Sequence, residues 1–70
     1  MTRGDYMKAA RVAAGMTLRE LGAIAGIPYN TINRLEIGTR QGRIDTIEVL
    51  ADALGLSIDE YVGHERKKKT

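Results

Sequence analysis

Asn30 and Arg34 stand four residues apart in the segment Tyr29-Asn30-Thr31-Ile32-Asn33-Arg34. On a helix, that spacing places both side chains on one face. A carboxamide can bond adenine N6 and N7 together, and a guanidinium can bond guanine O6 and N7 together. Each such pair is worth about 1–3 kcal/mol of discrimination. Tyr29, Thr31 and Asn33 also point outward, while Ile32 and Leu35 form the inward pair. Tyr29 can pack on a thymine methyl or bond a phosphate, and Thr31 can do either. A solvated surface helix is also polar on its outer face, so spacing alone leaves both readings open. Other chemistry is poorly supplied. The single histidine, His64, lies in a polar tail, and there is no cysteine. No nucleophile–base arrangement, metal-ligand spacing or phosphate-cradling glycine loop occurs. The expectation is a protein that is not an enzyme, with no cofactor, metal or small-molecule ligand.

Five helices are expected to position these residues, because the apolar periodicity is helical almost throughout and alternating runs are absent. Asp5 is expected to cap a first helix running to about Ala14, stopped by Gly15. Thr17-Leu18-Arg19-Glu20 has the pattern of a capping box and opens a second helix with Leu21 and Ala25 inward, ended by Gly26. Ile27-Pro28 starts the third, since proline suits a first turn. Asp45 and Glu48 suggest another box before a stripe of Ile47, Leu50, Ala51 and Leu54. Ser57 opens a short fifth helix carrying Ile58, Tyr61 and Val62. Residues 1–63 thus read as one all-α domain, and 64–70 as a basic flexible tail. The short turn Ala25-Gly26-Ile27-Pro28 makes the second and third helices a helix-turn-helix candidate, with a plain helical hairpin as the alternative. Gly22 would let the third helix approach the second closely.

Charge is unevenly distributed. Residues 28–43 carry Arg34, Arg40 and Arg43 against Glu36, whereas residues 44–62 carry five acids and no base. A basic half can face a polyanion while the acidic segment faces away. No stretch approaches 18 consecutive apolar residues, and the first residues hold no run of signal-peptide length. The reading is cytoplasmic and nucleoid-associated, with no membrane partner.

From about Ala10 to Tyr61 the chain resembles the lambda-repressor-like family, also called the Cro/repressor or Xre-type helix-turn-helix family. The resemblance rests on Arg11, Gly15-Met16-Thr17, Glu20-Leu21-Gly22, Gly26-Ile27-Pro28, Thr31-Ile32, Leu35-Glu36-Ile37-Gly38 and Leu50-Ala51-Asp52-Ala53-Leu54-Gly55, in that order and spacing. It implies a compact five-helix bundle that docks its third helix in the major groove of double-stranded DNA. It also implies that Tyr29, Asn30 and Arg34 are the main base readers, and that Arg11 and Glu36 form a partly buried ion pair.

Phosphate contacts are expected from Thr17 and Arg19 at the start of the second helix, and from Thr39, Arg40, Gln41 and Arg43 in the loop after the third. The expected function is a sequence-specific transcriptional regulator, a repressor binding a palindromic operator as a homodimer through Ile58, Tyr61 and Val62. A second reading is an antitoxin-type module that binds a protein partner as well as its own promoter, with Ile24, Ile37 or the apolar residues of the fifth helix in the partner patch. The chain departs from the family pattern at several places. Leu18 stands where a glutamine often holds a phosphate and braces the recognition helix. Gly22 replaces a small alanine and should weaken the second helix by up to about 1 kcal/mol. Gly42 replaces a loop proline, so a more mobile loop is expected there.

Overall fold

A computed structural model describes residues 2–40 and 42–63. Gln41 and the basic tail lie outside the described residues. Five helices follow in order: α1 Arg3–Ala13, α2 Leu18–Ala25, α3 Tyr29–Ile37, α4 Ile44–Leu54 and α5 Ile58–Gly63. Among the described residues there is no strand.

Local chemistry sets the helix ends. The Thr17 hydroxyl accepts from the Glu20 amide, and the Glu20 carboxylate accepts from the Thr17 amide, completing the expected box. The first helix starts earlier than Asp5 suggested. Thr2 is its cap, and Asp5, the third residue of the helix, closes a second box: a carboxylate reaching back from there satisfies the cap amide, so it cannot itself be the cap. The box expected at Asp45 and Glu48 does not form. Arg43 occupies the cap position without a side-chain cap bond, and the Asp45 carboxylate turns to the amide of Thr46. Pro28 sits one residue outside α3, with ψ 135°, and its carbonyl accepts from the amides of Thr31 and Ile32.

The core is Met7, Leu21, Ile32, Leu35, Ile47, Leu50 and Tyr61, so every helix contributes. Tyr61 corrects the sequence reading. It is only 4% exposed, with Ile58 and Val62 half-buried beside it, so it points into the monomer. A helix of six residues has one narrow apolar stripe, and here that stripe closes the core against α1 and α4. The hydroxyl of Tyr6 on α1 donates to Glu60 on α5 at 2.6 Å, fastening the same contact.

The turn between α2 and α3 depends on close backbone approach at Gly22. A Cβ there would lie 2.7 Å from the Ile27 carbonyl oxygen and 3.4 Å from the Tyr29 amide nitrogen. Glycine is therefore required at that point, although it weakens the helix intrinsically. Gly22→Ala would gain about 1 kcal/mol of helix propensity and meet an overpacking cost of about 1–3 kcal/mol. The expected outcome is a lower midpoint in thermal unfolding followed by circular dichroism; a raised midpoint would show that the turn can give way. Gly42 has φ +80°, a left-handed conformation that proline cannot adopt. Its departure from the family's proline is thus a different loop path.

Candidate nucleic-acid interface

The inner side of α3 is anchored by burial and by one ion pair. Ile32 and Leu35 lie in the core, and Glu36 beside them is 8% exposed. The Arg11 side chain, 11% exposed, donates from Nε to Glu36 Oε2 at 2.7 Å and from Nη2 to Oε1 at 3.1 Å. Its third nitrogen, Nη1, donates to the Met16 carbonyl at 2.8 Å. This two-bond fork satisfies a buried carboxylate with matched geometry. Hydrogen bonding to Glu36 raises the Arg11 pKa above its ordinary value, against the opposing effect of burial. The pair joins the last turn of α1 to the end of α3, while Met16 ties in the loop before α2.

The outer side of α3 is open. Asn30, Asn33 and Arg34 are exposed, and among the described residues their side chains have no hydrogen-bond or ion-pair partner. Asn30 and Arg34 keep the one-face relation expected from their spacing. Thr31 is half-buried and turns partly toward the loop, lining a groove of about 400 Å³ with Arg40, Gly42, Arg43 and Thr46. The fully outward placement expected for Thr31 is corrected accordingly: it stands beside buried Ile32 on the flank of the helix. The backbone of Arg34 is fixed even though its side chain is open. Its carbonyl accepts from the amides of Gly38 and Thr39 at 2.9 and 3.0 Å, and from the Thr39 hydroxyl at 3.4 Å.

Tyr29 is placed differently from the other outward residues. It is 37% exposed, and the Arg19 guanidinium lies over its ring, with Cζ 4.3 Å from the centroid. Arg19 Nη2 also donates to the Tyr29 hydroxyl at 3.1 Å. The sequence reading assigned these two residues separately and missed the contact. They are ten positions apart across a turn, so helical periodicity could not reveal it; the brevity of the turn was the available signal.

Among the remaining cations, Arg43 is 3.4 Å from Asp45 in an exposed pair, whereas Arg40 is exposed with no carboxylate partner among the described residues. The Thr17 hydroxyl is engaged by the Glu20 amide. The acids of α4 and α5, namely Asp45, Glu48, Asp52, Asp59 and Glu60, are exposed. Among the described residues there is no group of three or more potential metal ligands, and no helix is long and apolar enough to cross a membrane.

Two helices joined by a tight glycine turn, the second held from within and open without, define a helix-turn-helix DNA-binding domain. The helix-turn-helix family model HTH_3 matches residues 7–61. The chain belongs to this family, in its Cro/C1, Xre-like branch, and is a DNA-binding regulator of that type. No curated protein and no solved structure matches it.

Proposed function

We propose that the protein is a sequence-specific repressor of transcription that binds a palindromic operator as a homodimer and reads each half-site with α3. The observation that carries this reading is the division of α3. Ile32, Leu35 and Glu36 hold it rigidly, while the side chains of Asn30, Asn33 and Arg34 are left free for base edges. A pre-positioned helix loses little freedom on docking, so more of each base contact remains as net affinity. Arg40 adds a backbone contact from the following loop. A homodimer matches the two-fold symmetry of a duplex and brings two such helices to half-sites about 34 Å apart. In a dimer formed through α5, Ile58 and Val62 would supply the contact, because Tyr61 is enclosed.

Selection of bound molecules from a random duplex library tests the reading directly. A palindromic motif with half-sites one helical turn apart is the expected result. Arg34→Ala should then lose about 1–3 kcal/mol at its preferred site and relax selection at one guanine position. An unaltered motif with the variant would remove Arg34 from base reading.

A second reading, an antitoxin-type module with a protein partner, draws on Ile24 and Ile37, which are 62% and 64% exposed. Co-purification with one protein at fixed stoichiometry, lost on replacing either isoleucine by a polar residue, would favour it.

A further inference from the structure

We propose that Arg19 and Tyr29 form one functional unit, in which the tyrosine ring holds the arginine as a preformed clamp for a DNA phosphate. This inference rests on the DNA-binding reading above and assigns Tyr29 a positioning role in place of base recognition. The guanidinium lies over the ring at 4.3 Å and is tied to the hydroxyl at 3.1 Å, so both its orientation and its direction along the ring are fixed. A stacked guanidinium keeps its in-plane edge open. Here Nε and Nη1 have no partner among the described residues. They point to different sides of the guanidinium, and each can give a charge-assisted hydrogen bond to a phosphate oxygen.

Charge supports the same assignment. Arg11 and Arg43 each face a carboxylate, whereas Arg19 rests on a neutral ring. The neighbouring Glu20 carboxylate bonds the Thr17 amide at 2.8 Å and makes no ion pair with Arg19. Arg19 therefore has no carboxylate in direct contact and is open to an external anion. Its position fits as well. In a helix-turn-helix the first helix of the pair crosses the sugar-phosphate backbone while the second enters the groove, and Arg19 lies on α2 where it touches the first residue of α3. Tyr29 is correspondingly less available to bases, with one ring face covered and its hydroxyl oxygen already accepting a bond.

The test uses Arg19→Ala, Tyr29→Ala, Tyr29→Phe and the Arg19/Tyr29 double alanine variant. Each full-length variant is titrated against the duplex selected by the wild type over a range of salt concentrations, and each is then taken through its own library selection. Arg19→Ala should weaken binding about tenfold and reduce the salt slope by about one per subunit. Tyr29→Ala should weaken binding through the same contact, so the double variant should lose no more than Arg19→Ala alone. Tyr29→Phe keeps the ring and should fall between wild type and Tyr29→Ala, which also controls for any folding defect in the alanine variant. The selected sequence should be the same in all four variants.

Losses that add fully in the double variant would overturn the coupling. A changed base preference in Tyr29→Ala but not in Arg19→Ala would overturn the positioning role and restore Tyr29 as a reader. An unaltered salt slope in Arg19→Ala would overturn the phosphate clamp. Failure of the wild type itself to retard any duplex at low salt is a separate outcome, which removes the DNA-binding reading and this inference together.

Discussion

Glu36→Ala is expected to lower folding stability by about 3–5 kcal/mol, the usual effect of leaving a buried charge without its partner. The lost carboxylate would strand the guanidinium of buried Arg11, which is bound otherwise only to the Met16 carbonyl. A domain of 70 residues has a total stability of about 4–10 kcal/mol, so the loss is a large share of it. The thermal midpoint should fall by more than about 10 °C. A midpoint within one or two degrees of wild type would refute the structural importance of the pair. Replacing both partners by apolar residues of similar size, Arg11→Met with Glu36→Leu, should restore much of the loss, because the desolvation penalty disappears with the charges. That recovery separates the cost of an orphaned charge from the worth of the bridge itself.

Gly4→Ala is expected to be nearly as damaging, in the direction opposite to helix propensity. Alanine at an exposed helix position would stabilise by about 0.8–1.0 kcal/mol. At Gly4, however, a Cβ would lie 2.4 Å from the Glu36 carbonyl oxygen and 2.6 Å from that of Leu35. Both obstacles are backbone, and both belong to the last turn of α3, whose end is closed by the amides of Gly38 and Thr39. Neither can rotate aside as a side chain would. The helices must separate, with an overpacking cost of about 1–3 kcal/mol or more. Circular dichroism melting should show a depressed midpoint, and DNA affinity should fall with it because α3 shifts as a body. A midpoint equal to or above the wild-type value would mean that α1 slides without penalty.

Features governed by local rules were legible in the sequence. The Thr17 box, the glycine that ends α2 and the inward positions Ile32, Leu35, Ile47 and Leu50 follow from capping chemistry and apolar period, and the structure has them where those rules put them. The membership of the family was legible from spacing across most of the chain. What escaped was decided between elements. Gly4 fell outside the first helix expected from Asp5, and only the packing of α1 on α3 reveals that it is an essential gap. Tyr61 reads as a surface aromatic on a short helix, yet the core lacks phenylalanine and tryptophan and takes it in to fill volume. Arg19 and Tyr29 each read correctly as outward residues, but their stacking depends on the geometry of the turn, which no periodicity encodes. The local error at Asp5 was smaller: Thr2 competes for the cap and wins, because a box needs the acid three residues later.

The division of α3 into an enclosed half and an open half bears on how such a protein could diversify. Residues that keep the rod in place, Ile32, Leu35 and Glu36, are interleaved with Asn30, Asn33 and Arg34 without sharing partners with them. Substitutions in the second group leave the folding energy nearly untouched, since surface changes of this kind usually fall within about ±0.5 kcal/mol. On the proposed reading of bases by that second group, the molecule can be given a new genomic address while its architecture stays constant, and duplicated copies could part ways in target without first passing through an unstable ancestor.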